Sequence, residues 1–216
     1  MPFYLHALRT LWIVWLITLL ISVTYSVATA FILPDTGITT CHDASGNVIV
    51  CPTNETELYY GQDAQFGPGT MSFALGTGDF LGTVTDQNTG LVWEQKVSAD
   101  GQVDAGNFQD ADNVYAWDGL QDKIDQLNQS GYLGYSDWRL PTAEELDHLV
   151  DLSVAAPGPT IDTVFFPQTR SAYYWSSDID VENTAQVWVV DFASSVDQVV
   201  SKAERHYVRL VRGSLQ

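Results

Sequence analysis

The chain has 216 residues, 45% of them apolar and 12% aromatic, which is enough to bury one sizeable core and excludes an intrinsically disordered chain. Its 27 acidic residues against 9 lysines and arginines give a net charge of −18. A surface of that sign repels phosphate backbones and anionic lipid headgroups, so nucleic acid and anionic membranes are excluded as partners.

In chain order, Arg9 gives a weak positive start, and Thr10 to Leu33 then carries no charge. The most apolar part, Leu11 to Val23, is short, and Ala28-Thr29-Ala30 follows as a small-residue A-x-A ending. Residues 1–30 therefore read as a secretory signal cleaved before Phe31. The competing reading is a retained anchor, because residues 10–33 are long enough to cross a bilayer with some tilt. Only in that case is a membrane a partner, with the protein periplasmic or membrane-anchored. Otherwise the expected location is extracellular or at the cell surface.

Residues 31–81 form an extension ahead of the main domain. LPDTG (Leu33 to Gly37) matches a sortase pattern, but no apolar tail follows it, and its position rules that reading out. Cys41 and Cys51 bracket the turn formers Asp43-Ala44-Ser45-Gly46-Asn47. In an oxidising compartment they are expected to close a small disulfide hairpin. Gly61 to Gly82 is glycine-rich with Phe66, Phe73 and Phe80, as for short strands and turns.

Gly82 to Gln95 reads as a hairpin, with Thr83 to Thr85 and Leu91 to Trp93 flanking the turn cluster Asp86-Gln87-Asn88-Thr89-Gly90. Ser98 to Asn113 is polar and should be an exposed loop. A helix is predicted from about Val114 to Asn128, with Val114, Trp117, Leu120, Ile124 and Leu127 on one face and Gly131 as its stop.

Ser136 to Leu146 (SDWRLPTAEEL) carries the densest local signal. Asp137 to Leu140 alternates polar and apolar like a short strand, and Pro141 bars Leu140 from helical backbone. Thr142-Ala143-Glu144-Glu145 is a capping box, and Leu146, Leu149 and Val150 continue at helical spacing. This predicts a second helix over 143–153. Strands follow at Ala172 to Ser177, Gln186 to Phe192 and Tyr207 to Val211, with a polar loop over 178–184. Two helices and a later set of strands make an α+β fold with a mostly antiparallel, twisted sheet.

GTVTDQNTGLVWEQ, the segment with Trp117, GYSDWRLPTAEEL, PTIDTVFF, YWSSD, VWVVDF and YVRLVR occur in that order over residues 82–212. In these motifs the chain resembles the bacterial domain family named after the C-terminal domain of the Lcl collagen-like adhesin. The resemblance implies a C-type-lectin-like fold and an exported or cell-surface protein, and it brings no catalytic residue set. The name-giving member binds sulfated polysaccharides and assembles as a trimer. This chain has no collagen-like tract, and only Lys202, Arg205, His206, Arg209 and Arg212 form a basic cluster, set against 27 carboxylates.

Trp138 and Arg139 read as structural: the tryptophan sits where strand meets helix, and the arginine can pair with Asp137 or Glu145. Thr142 and Glu145 are structural as the capping pair. Trp93, Trp117, Trp175 and Trp188 are expected in the core, each lying in a regular element. The candidate binding set is Asp178, Asp180, Glu182 and Asn183, grouped after YWSS. Of these, Asp178, Asp180 and Glu182 are oxygen ligands suited to calcium, the one candidate cofactor, against the plainer reading of a solvated acidic loop. Asp100, Asp104, Asp110 and Asp112 form a second, looser group. Enzymatic function is not expected: His148 lies among apolar neighbours, His206 among basic ones, and both cysteines lie upstream of the domain. The reading is an exported, non-catalytic adhesion domain that recognises a surface glycan or protein, with a homo-oligomer expected. The alternative is a structural subunit of an extracellular filament or surface assembly, using the extension for subunit contacts.

Overall fold

The computed structural model describes residues 40–62, 64 and 71–214. The leader or anchor over 1–30, the LPDTG stretch and Phe66 lie outside the described residues. Within them the chain is α+β, with short helices against antiparallel sheets.

The extension opens with β1 (Cys41–His42) and β2 (Val48–Ile49), an antiparallel pair closed by the Cys41–Cys51 disulfide. The turn forms for the expected reason: Asp43 Oδ1 accepts from the Ser45 and Asn47 amides, each at 2.9 Å, and Gly46 takes φ 80°. Gln62 then anchors the returning chain, accepting from His42 N and donating to His42 O, both at 2.8 Å.

β3 (Phe73–Leu75), β4 (Thr83–Asp86), β5 (Val92–Glu94) and β9 (Val211–Arg212) form an antiparallel sheet in the order β3-β4-β5-β9. The β4–β5 hairpin turns on Asp86, whose carboxylate accepts from Asn88 N and from the Thr89 hydroxyl at 2.9 and 2.6 Å. The chain of the SDWRLP stretch enters this sheet at one residue, Arg139, which exchanges both backbone hydrogen bonds with Val211. The expected strand is therefore a single bridge at the sheet edge.

β6 (Tyr173–Ile179), β7 (Gln186–Asp191) and β8 (Val196–Ser201) make a second antiparallel sheet. β6 extends past the expected end at Ser177 and carries a bulge between Trp175 and Ile179, so Asp178 is a strand residue and the loop begins after Ile179. β8 is not among the predicted strands. It returns over a tight turn in which Ser195 takes φ 60°. Of the predicted 207–211 strand, Val211 enters β9, and Tyr207 makes a single parallel bridge with Tyr174.

Both helices are shorter than predicted. α1 spans Leu120–Ser130 and ends, as expected, at left-handed Gly131 (φ 70°). Residues 114–118 are not helical because their backbone is claimed elsewhere: Tyr115 pairs with His206, and Trp117 N donates to Lys202 O. No side chain caps this start, and Gly119 at φ 87° makes the corner. α2 spans only Ala143–Asp147. Leu149 and Val150 continue in tighter i→i−3 bonds, and Asp151 N turns away to Thr160 O. Leu146, Leu149 and Val150 are buried nonetheless, so the spacing reported burial correctly and helix length incorrectly.

Successive residues of a strand face opposite ways, and here both faces are covered. Trp93, Val190 and Val211 join one apolar cluster with Leu146, Phe166 and Tyr174. Their neighbours Val92, Val189 and Leu210 join another with Ile124, Trp138 and Trp175. Arg209, one of the basic cluster read from the sequence, is fully buried: it donates to Glu94 O and Thr169 Oγ1 and lies over the Phe166 ring at 4.8 Å.

Candidate functional site

The SDWRLPTAEEL corner locks α2 onto the second sheet. Thr142 Oγ1 accepts from Glu145 N at 3.1 Å, and the Glu145 carboxylate accepts from Thr142 N at 2.8 Å. The same carboxylate takes a two-pronged hydrogen bond from Arg139 at 2.6 and 2.7 Å, while Asp137 pairs with Arg212. Trp138 is buried, and its backbone N–H and C=O are both bound by the Asn128 side chain on α1. Two bonds then reach β6: Ser177 N donates to Pro141 O at 2.7 Å, and Ala143 N donates to Asp178 Oδ2 at 2.8 Å.

This docking leaves an open groove of about 670 Å³ between α2 and the β6–β7–β8 sheet. α2 lines it with Ala143, Glu144 and Asp147, and β6 with Ser177, Asp178 and Ile179. Val181 just past β6, Trp188 of β7 and Asp197 of β8 complete the lining. The register explains the grouping. Asp197 pairs with Val190, and Trp188 lies two residues before Val190, so all three share a face. That face receives α2, whose Leu146 packs in one cluster with Val190.

The groove is acidic, and no lysine or arginine among the described residues forms an ion pair with it. Ion pairs among the described residues engage Glu94, Glu145, Asp112, Glu204 and Asp137, and none reaches Glu144, Asp147, Asp178 or Asp197. Asp147 feels this most. Partial desolvation, then the Asp197 and Glu144 carboxylates, push its acid group up to about 6.

The structure divides the predicted site residues. Asp178 lies in the groove wall, with one carboxylate oxygen held by Ala143 N. Asp180 and Asn183 shape the exposed loop: Asp180 Oδ1 accepts from Glu182 N at 3.1 Å, and Asn183 Oδ1 accepts from Ala185 N at 3.2 Å. Among the described residues no group of three or more His, Cys, Asp and Glu side chains is placed to hold a metal ion, so Asp178, Asp180 and Glu182 do not converge. In the second acidic group, Asp110 is buried and accepts from Asp104 N and Asp112 N, and Asp112 pairs with Arg170. Those carboxylates fold the 98–113 loop.

Four residues of the groove were missed by the sequence reading: Glu144 and Asp147 beyond their helix, Trp188 assigned to the core, and Asp197 unassigned. Trp93 and Trp175 are indeed buried, whereas Trp188 and Trp117 are half-buried. The alternation in QVWVVDF carried part of the signal, since it sets Trp188 opposite Val187 and Val189. A different charged cluster, Glu94 with Lys96 and Arg209, is fully enclosed by protein and offers no access to a ligand.

Residues 82–212 match the family model of the Lcl C-terminal domain. No curated protein matches the chain.

Proposed function

The chain belongs to the Lcl C-terminal domain family, and from that premise we propose that it is an exported, non-catalytic binding module of the cell surface, engaging a surface glycan or protein through the α2/β6–β8 groove. The observation that carries this reading is the groove itself, an open site lined by Trp188 and by carboxylates that no ion pair among the described residues engages. A C-type-lectin-like arrangement of the two helices and the antiparallel sheets belongs to the same proposal. Export is supported by the leader pattern of residues 1–30 and agrees with a disulfide in the extension. The absence of a catalytic assignment is part of the proposal and follows from the family resemblance.

The test is binding of the full chain to arrays of surface glycans and surface proteins, with and without chelator, beside Trp188→Ala. A ligand retained by the wild type and lost in the variant supports the groove. Silence on both arrays overturns the reading. The chelator arm decides whether calcium takes part.

A second reading has its own observation. On the disulfide hairpin and the chain just after it, Val48, Val50 and Leu58 are 66%, 91% and 81% exposed. Such apolar exposure suits subunit contacts in a filament or surface assembly. Light scattering after size exclusion, with electron microscopy, tests this, and a monodisperse monomer at all concentrations rejects it.

A further inference from the structure

The chemistry of the groove is one-sided. Its polar side chains are Glu144, Asp147, Asp178, Asp197 and Ser177, and no lysine, arginine or histidine lines it. Ionised carboxylates only accept hydrogen bonds, so the Ser177 hydroxyl and the Trp188 indole N–H are the side-chain donors among the lining residues, against four carboxylates. A neutral sugar brings hydroxyls and ring oxygens that need donors as well as acceptors, and this lining leaves most of them unmatched. A sulfated or carboxylated sugar would meet like charge on three sides. An ammonium or guanidinium has donors and no acceptor, which is the complement of this surface.

The apolar part of the lining narrows the choice further. Ile179 and Val181 stand on the rim at 41% and 93% exposure, beside the half-buried Trp188. Aliphatic rims cover the methylene stems of long basic side chains while the charged head stays in a polar place. The indole adds an attractive π face for a cation. Hydroxyl-rich rings gain little from Val181 and Ile179. The groove is also open and large enough for more than one side chain.

We propose that the α2/β6–β8 groove docks a lysine- or arginine-bearing segment of a protein partner, its cationic heads between the carboxylates of α2 and Asp197 and its stems against Trp188, Ile179 and Val181. This rests on the groove being the ligand site and names the class of ligand. The charged groups facing the site are Glu144 and Asp147 on α2, Asp178 on β6 and Asp197 on β8, with none from β7. Burial, and after it the Asp197 and Glu144 carboxylates, raise the Asp147 acid group, and a bound cation offsets the repulsion among the three. Binding should therefore weaken as pH falls below about 6, and as salt screens the exposed charges.

The experiment titrates the full chain with a fluorescent octapeptide of alternating lysine and serine. The comparators are the same peptide with acetylated lysines and a tetramer of glucosamine. The groove variant is Asp147→Asn with Asp197→Asn. The control variant, Asp122→Asn with Asp125→Asn, removes equal charge from the exposed face of α1. The expected result is affinity lower by about tenfold in the groove variant and by less than about twofold in the control, with the acetylated peptide silent. Amide and indole chemical shifts should move at Val181 and Trp188.

Equal losses in the two variants mean diffuse attraction to an acidic protein and overturn the proposal. A glucosamine tetramer held as tightly as the peptide replaces the protein segment with a sugar amine, and overturns it too. If an array ligand is lost in Trp188→Ala while the lysine peptide never binds, the proposed function stands and the cationic ligand falls.

Discussion

The Tyr132 hydroxyl donates to Glu94 Oε1 at 2.6 Å, and the carboxylate that receives it is fully buried. Glu94 also accepts from Lys96 Nζ at 3.0 Å and from Leu210 N at 3.1 Å, so one charge ties β5 to the residue before β9 and to the turn after α1. Burial, and then the neighbouring carboxylate, push the Tyr132 phenol far above its ordinary value. Burial pushes the Lys96 ammonium down, with Glu94 opposing. Glu94→Ala should cost roughly 3–5 kcal/mol, because it leaves Lys96 buried without its partner. Replacing both residues with methionine should recover much of that loss. Urea denaturation of the two variants checks this, and a double variant no more stable than the single one would contradict it.

The capping box of α2 makes a smaller, separable claim. Thr142→Ala removes one side-chain acceptor from the helix start and should cost about 1 kcal/mol. Glu145→Ala removes the acceptor for Thr142 N and the partner of Arg139 together, and should cost about 2–3 kcal/mol. The order of the two midpoints in denaturant is the readout. Equal costs would mean that the Arg139 pair adds nothing beyond the cap.

These two sites also mark how far the sequence could be read. The corner at residues 136–146 was legible because its signals are local: a proline, a T-x-x-E spacing and a helical run of leucines. The antiparallel sheets and the Cys41–Cys51 hairpin were legible from alternation and turn residues. Helix length was not, since the backbone at Tyr115 and Trp117 is taken by residues 202–206, which no local pattern announces. The groove was least legible. Asp147 and Asp197 are fifty positions apart and meet only through the registers of β6, β7 and β8 and the docking of α2. Asp178, which looked like a free loop ligand, spends an oxygen on Ala143 N.

The disulfide should act locally. It closes a sequence separation of 10 residues within an extension that precedes the matched domain. Loop-entropy reasoning assigns such a bridge about 2.5–3 kcal/mol. Cys41→Ser with Cys51→Ser should therefore abolish hydrogen-exchange protection around residues 41–49 and leave β4, β5 and β9 protected as before. Loss of protection across both sheets would show that the extension supports the domain it precedes.

Asp147 provides a pH signature that requires no ligand. Its folded acid group sits at about 6, against 3.8 for the ordinary side chain. The native state therefore binds its proton between those values while the unfolded state does not, so this residue favours folding more as pH falls from about 6 towards 4. Above pH 6 the charged form is partly desolvated and held near Asp197 and Glu144, and it detracts from stability. Asp147→Asn removes that repulsion, so its melting temperature should exceed the wild type's at pH 7.5, and the gap should close by pH 4.5. Thermal denaturation at the two pH values is sufficient. A variant less stable than the wild type by the same amount at both would show that the carboxylate holds the α2 turn together, and that the groove's acidity has another origin than crowding.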